Sequence, residues 1–310
     1  MTDDTRQKRG FIKVIITRKR IRMHALHARL GKNFDLAQRL IRYQKAIVER
    51  PKTLRGSWRS WCCPCEQDEY GKYVQAAFKE VRLDMGCGKG NFTLEAARRE
   101  PRVLFVGVDI EPLCIAIAAQ KICDEKLSNV VVFCAHSSLL HEYFAQGELA
   151  RIYLNFPTPF PRKKQARDRL VYLDNLLVYR DLLAKDAKLT FKTDSYPLMQ
   201  FAKTQFVRAG YTCTWESDNA RTDRPDEPMS QYEEKLSEQG ARVLAREYIV
   251  GALPAQISQV EKLSLVDYLP KDLSLMSYIP HGMQGTFTNL INYETKHNGK
   301  RLDSHGQLLQ

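Results

Sequence analysis

The stretch Val81-Arg82-Leu83-Asp84-Met85-Gly86-Cys87-Gly88-Lys89-Gly90 limits what this chain can fold into more than any other. An apolar strand ends at an acid and enters three glycines on alternate positions, and Asn91 then reads as the cap of a helix. Gly86, Gly88 and Gly90 permit a sharp turn and a close backbone approach to a ligand, because no Cβ stands in the way. A helix-length interval later, Val103-Leu104-Phe105-Val106-Gly107-Val108-Asp109 reads as a second strand, ending in an acid placed for ribose hydroxyls. Strand, glycine loop, helix, strand and carboxylate follow the order of a mononucleotide site in a doubly wound α/β sheet.

Spacing separates the possible ligands. A dinucleotide fingerprint is G-x-G-x-x-G, with a helix N-terminus turned to a pyrophosphate. Here the third glycine comes one residue early and Asp84 precedes the loop. A carboxylate there repels a pyrophosphate and suits a cationic amino-acid group such as that of S-adenosyl-L-methionine. The pattern D-x-G-x-G-x-G resembles the first motif of the class I methyltransferases. A nicotinamide site and a plain structural turn are the competing readings of the same glycines.

Alternation continues down the chain. Further buried strands are expected at Asn129–Cys134, Ala150–Phe156, Lys188–Thr193, Tyr211–Glu216 and Arg242–Val250, with a helix over Pro112–Lys126. Continuous apolar runs separated by helical intervals indicate a mainly parallel, Rossmann-like α/β sheet of seven strands with helices on both faces. The expected organisation is a basic N-terminal arm over 1–75, the sheet domain over 76–252, and a C-terminal appendage over 253–310 to which no chemistry is assigned.

Charge distribution supports the idea of an arm. Residues 1–82 hold 20 Lys and Arg against 8 Asp and Glu, so the whole formal charge of +12 sits there and the remainder is neutral. A basic arm on a neutral domain suits a polyanion, nucleic acid first, or serves as a solubilising tail. Phe34–Val48 reads as an amphipathic helix ended by Pro51. Trp58 and Trp61, among Arg55 and Arg59, either stack on bases or seat the arm on the core. Cys62, Cys63 and Cys65 lack a second paired set of ligands, and no metal is expected. Cys114, Cys123 and Cys134 read as small buried hydrophobes. With no secretion signal and no apolar run of membrane-spanning length, eight cysteines read as reduced thiols in a cytoplasmic protein.

A second constellation follows the fourth strand: Asn155-Phe156-Pro157-Thr158-Pro159-Phe160-Pro161, then Arg162-Lys163-Lys164 and Arg167-Asp168-Arg169. A stiff proline-aromatic loop offers a platform for a flat base, and the basic run suits phosphates. The plain alternative is a proline-rich turn before a solvated helix. Together with Phe191-Lys192-Thr193-Asp194 and Ser230-Gln231-Tyr232-Glu233, this stretch resembles the bacterial tRNA (guanine-N7)-methyltransferases over roughly residues 50–250. Pro51–Trp58 is similar to the segment that precedes their first motif.

The resemblance implies an S-adenosylmethionine-dependent enzyme acting on guanine N7 in tRNA, with the oligomeric state left open. It implies cofactor contacts from Asp84, Gly86, Gly88, Gly90, Asp109, His136 and Thr158. It implies substrate contacts from Arg162, Asp194, Ser230, Gln231, Tyr232 and Glu233, with Asp194 and Thr158 at the chemistry. Two positions depart from the family pattern. His136 stands where the family has Asp or Asn, and Thr158 where it has the aspartate usually assigned as catalytic. Two further readings therefore stay open: an RNA-binding paralogue without turnover, and a methyltransferase acting on another nucleic-acid nitrogen, since Asn155–Phe160 is faintly similar to the N-P-P-F/Y loop of amino-methyltransferases.

Overall fold

The computed structural model describes residues 35–60, 65–67, 73–75, 77–270, 279–280 and 282–298. Two compact units divide the chain: Met1–Tyr153 with Pro228–Ser230, and Leu154–Glu227 with Gln231–Gln310.

The first unit opens with α1 (Leu36–Arg42), where Asp35 Oδ1 accepts the Gln38 N–H at 3.0 Å. This helix is shorter than the expected Phe34–Val48. It passes through a 3₁₀ turn at Gln44–Ala46, after which Ile47 forms a parallel bridge with Val132 and the Val48 N–H donates to the Val132 carbonyl at 3.0 Å. Two β-branched residues take a sheet partner instead of a further helical turn, so Pro51 does not end the helix. Leu40, Ala46 and Ile47 lie in the core, so the described part of the arm is docked. Cysteine-containing β1 (Cys65–Gln67) pairs antiparallel with β2 (Tyr73–Gln75), a ribbon the sequence pattern does not announce. Cys62 and Cys63 lie outside the described residues.

Then come β3 (Glu80–Met85), α2 (Asn91–Arg99), β4 (Val103–Asp109), α3 (Pro112–Asp124), β5 (Val130–Cys134) and β6 (Leu149–Asn155). Strands β3–β4, β4–β5 and β3–β6 are parallel. β4 is buried along its length up to Asp109, as a strand covered on both faces requires. Cys114, Cys123 and Cys134 are half-buried, not enclosed as expected, because each sits at an element's end or outer face. Burial still pushes the Cys114 thiol up to about 12.

The second unit holds α4 (Leu173–Leu182), β7 (Leu183–Thr193), α5 (Tyr196–Arg208), β8 (Tyr211–Ser217), α6 (Ala220–Asp223), α7 (Gln231–Glu238), β9 (Leu244–Val250) and α8 (Gln284–Asn298). β9 runs antiparallel to both β7 and β8, with an irregularity between Cys213 and Trp215. Phe206 stacks on Tyr248 at 3.7 Å between centroids and meets Tyr211 edge-on. The strand order is β5-β4-β3-β6-β7-β9-β8: the seven strands expected, in a sheet made mixed by the antiparallel β9. Described residues after β9 pack against α5 of this unit. Gln259 exchanges amide hydrogen bonds with Gln205, and Glu261 pairs with Arg208 at 2.9 Å.

Candidate functional site

The glycine loop leaves β3 through Gly86, whose N–H donates to the Val108 carbonyl at 2.7 Å, and closes with the Gly90 N–H on the Cys87 carbonyl at 3.0 Å. Two glycines show why the spacing matters. Gly90 has φ +75°, and an added Cβ would lie 2.9 Å from the Cβ of Ala118 on α3. Gly90 is also the residue before the helix, so the cap expected at Asn91 falls one position earlier. Gly88, at φ +54°, has nothing within 4 Å of the place a Cβ would occupy. Its neighbourhood is open to a ligand's approach, whereas Gly90 is a packing requirement.

Asp109, at the end of β4, holds this loop. Its Oδ2 accepts the Gly88 N–H and its Oδ1 the Glu111 N–H, both at 2.9 Å. Burial raises the Asp109 carboxyl above its ordinary range, against those backbone N–H groups, which lower it. Asp84 is buried, and its Oδ2 accepts the Thr93 hydroxyl at 2.6 Å, tying β3 to the first turn of α2. His136 caps the 3₁₀ turn Ser137–Glu142, its Nδ1 accepting the Ser138 N–H at 3.2 Å. Asp and Asn cap a turn in the same manner, which accounts for His at this position structurally. Open backbone over Gly88 and a carboxylate at the second strand end fit a nucleoside with an amino-acid tail.

In the second unit, the loop after β6 has left-handed residues at both ends: Phe156 at φ +49° and Phe160 at φ +45°. Non-glycine residues avoid this region, so the surroundings must hold the loop in place. The Phe156 N–H donates to the Lys192 carbonyl at 2.8 Å. Thr158 lies half-buried between the two phenylalanines. Arg162, Lys163, Lys164 and Arg167 are exposed around a 3₁₀ turn, as a phosphate-facing run requires. Arg169 departs from that reading: it is wholly buried, its side chain bonded to backbone carbonyls.

Asp194 follows β7, half-buried, and its Oδ2 accepts the Tyr232 hydroxyl at 3.2 Å. The Tyr232 ring meets Phe156 edge-on at 5.4 Å. Three separate sequence motifs thus converge on Phe156, Asp194 and Tyr232. Gln231 is exposed and Ser230 half-buried beside it. Glu233 differs, being fully buried in ion pairs with Arg221 at 2.8 Å and Lys192 at 3.7 Å. Lys192 also pairs with Glu227 at 2.7 Å, and Arg224 pairs with Glu227 and Glu247. The geometry makes Glu233 an anchor for α7, which carries Tyr232. Lys192 belongs to the Phe191–Asp194 motif, whereas Arg221, Arg224, Glu227 and Glu247 give no periodic signal that would mark them.

Trp58 is also settled: fully buried, it donates from Nε1 to the Tyr143 carbonyl at 2.8 Å and stacks on Phe144. It seats the N-terminal segment. Trp61 lies outside the described residues. Among the described residues, no cluster of His, Cys, Asp and Glu is arranged to hold a metal ion, and no helix is long and apolar enough to cross a membrane.

A family model described as "Putative methyltransferase" matches residues 79–245. The tRNA (guanine-N(7)-)-methyltransferase of Geobacillus kaustophilus (strain HTA426) is 31% identical over 202 residues, covering 65% of this chain and 87% of that protein. That of Streptococcus mutans is 30% identical over 196 residues, covering 63% and 86%. A solved structure, "Structure of an Antibiotic Related Methyltransferase", superposes with TM-score 0.44 at 21% identity, covering 56% of this chain and 88% of that one.

Proposed function

Since the chain belongs to the tRNA (guanine-N7)-methyltransferase family, we propose that it methylates N7 of a guanosine in the variable loop of tRNA, using S-adenosylmethionine. The observation that carries this reading is the convergence of Asp194, Tyr232 and Phe156, with the exposed basic turn Arg162–Arg167 in the same unit. Bound S-adenosylmethionine supplies an electrophilic sulfonium methyl. Guanine N7 has an in-plane lone pair and no proton to lose, so the chain contributes alignment and charge placement more than a general base.

In this reading Gly86, Gly88 and Asp109 shape the nucleoside side of the cofactor site. Asp84 faces the amino-acid tail, and His136 stands near the adenine. Asp194 accepts N–H groups from the guanine edge and places negative charge near the purinium that forms. Tyr232 fixes the Asp194 carboxylate, and Phe156 offers a ring edge to the base. Arg162 and its basic neighbours take phosphates, the sequence-independent part of RNA affinity.

Thr158 keeps the RNA-binding paralogue in view, because a hydroxyl cannot replace a carboxylate's field. Nucleoside mass spectrometry on tRNA incubated with the protein and labelled cofactor decides between them. Label in N7-methylguanosine is expected, with Thr158→Asp faster than wild type. If both proteins bind cofactor and tRNA yet leave the tRNA unmodified, the binding reading replaces the enzyme. Label on another nitrogen identifies a different substrate atom.

A further inference from the structure

Pro159-Phe160-Pro161 forms the far end of the substrate loop, and two of its three residues have no N–H. It makes no ladder of its own, so its carbonyls need donors from elsewhere. All three find one. The Pro159 carbonyl accepts from Arg169 Nε at 3.1 Å, and the Phe160 carbonyl from Arg169 Nη2 at 2.8 Å. The Pro161 carbonyl accepts the Leu265 N–H at 2.9 Å.

Arg169 itself reaches beyond the loop. Its Nη2 also donates to the Leu263 carbonyl at 2.8 Å, and its guanidinium lies over the Phe201 ring at 4.4 Å. It is 0% exposed and, among the described residues, takes carbonyls and a ring where a buried cation ordinarily takes a carboxylate. Burial lowers its pKa to about 10. A buried, unpaired guanidinium is a costly way to fill a core, and apolar residues commonly do that better. What it offers instead is a rigid fork of donors that a hydrophobe or a lysine lacks.

The same C-terminal stretch touches the other half of the substrate side. A Cβ on Gly282 would lie 3.6 Å from Pro159, and the Ser195 hydroxyl, next to Asp194, points to the Met283 sulfur at 3.5 Å. Residues 259–283 lie wholly beyond the family match at 79–245.

We propose that the described parts of residues 259–283 are a clamp on the substrate loop, acting through Arg169 as a positioning residue that holds Thr158 and Arg162 in place for tRNA. This rests on the activity proposed above. A left-handed Phe160 supports it, since strain of that kind persists only where neighbours over-determine the backbone.

Two variants of the full chain test it. Arg169→Lys keeps the charge and loses the fork. Gln259→Ala with Glu261→Ala frees the stretch from Gln205 and Arg208 on α5; the Arg208–Glu261 pair is partly exposed, and the buried Gln205 keeps its bonds to the Leu173 amide and the Thr204 hydroxyl. Turnover at saturating tRNA, counted per cofactor-binding site by calorimetry, should fall roughly 10- to 100-fold in Arg169→Lys, the scale of an ångström's misplacement. Cofactor affinity should stay within about threefold of wild type, because the expected cofactor residues other than Thr158 all lie in the first unit. The double variant should speed hydrogen exchange at the Leu265 amide and slow turnover less.

A purely structural Arg169 would lower the melting temperature while turnover per site stayed at the wild-type value, and the clamp would be withdrawn. If Arg169→Lys does not fold, the double variant decides: faster exchange at Leu265 with unchanged turnover overturns the proposal. A wild type that binds tRNA without transferring methyl sinks the activity instead. The clamp is then judged by tRNA affinity, which should weaken roughly tenfold in the foldable variant, and equal affinity rejects it.

Discussion

The Tyr232 hydroxyl donates to Asp194 Oδ2 at 3.2 Å, joining the first turn of α7 to the residue that follows β7. Lys192, two residues before Asp194, and Glu233, immediately after Tyr232, form a buried ion pair beneath that contact. The carboxylate and its donor are therefore each backed by a charge that cannot leave the core. Asp194→Asn should abolish N7 methylation, because the amide turns donors toward the donors of guanine. Tyr232→Phe removes one neutral hydrogen bond, worth about 0.5–1.5 kcal/mol, so turnover should drop roughly two- to tenfold. Single-turnover methyl transfer measures both. Equal losses in the two variants would show that Tyr232 does more than hold the carboxylate.

The two glycines of the cofactor loop should separate stability from binding. Gly90→Ala meets left-handed strain of about 1–2 kcal/mol and a Cβ overlap with α3, so its melting temperature should fall clearly. Gly88→Ala meets strain alone, and its new methyl enters open space. It should melt closer to wild type yet bind S-adenosylmethionine about tenfold more weakly or worse. Calorimetry and thermal melts of both variants suffice, and wild-type affinity in Gly88→Ala would remove Gly88 from the site.

Those glycines also mark how much was legible beforehand. Val103–Asp109 is a strand over the span expected, because an unbroken apolar run between turns has few alternatives. Asp84, Asp109 and the loop were visible since their chemistry is local in sequence. Helix α1 was overestimated because nothing local shows that Ile47 meets Val132, more than eighty residues away. Arg169 read as one more solvated base in a basic run. Its burial depends on Phe201 and Leu263, which no periodicity links to it. Glu233 was legible as a motif residue, but its partners Lys192 on β7 and Arg221 on α6 belong to other elements, and nothing local in sequence pairs them with it.

Acid should weaken the ion network in a defined direction. Burial raises the Glu227 carboxyl, but Lys192 and Arg224 outweigh it, and the net position is below the ordinary 4.5. A folded pKa below the unfolded one adds stability above about pH 4.5, lost as pH falls through the folded value. Glu227→Gln should therefore be less stable than wild type at pH 7 by about 1.5–3 kcal/mol, the range for a hydrogen bond to a charged group. The gap should close on acidification below pH 4.5. Urea titrations at pH 7 and pH 3.5 test this, and a gap that does not narrow at the lower pH would mean packing, not charge, carries the difference.

Charge at the N-terminus calls for a truncation placed by the fold. Removing residues 1–50 would cut through α1 and the Val48 bond to β5, confounding RNA binding with unfolding. Residues 1–34 precede the Asp35 cap and carry 10 Lys and Arg against 2 Asp. Each phosphate neutralised releases counterions, so log affinity falls with log salt by about 0.7–0.9 per contact. Deleting 1–34 should flatten that slope by several contacts' worth and weaken tRNA binding most at low salt. Cofactor affinity and melting temperature should hardly move, since Leu40 and Ile47 stay in the core. Filter binding from 50 to 300 mM salt compares the full chain with the truncated one. An unchanged slope would assign phosphate binding to Arg162, Lys163, Lys164 and Arg167, leaving the first 34 residues a solubilising tail.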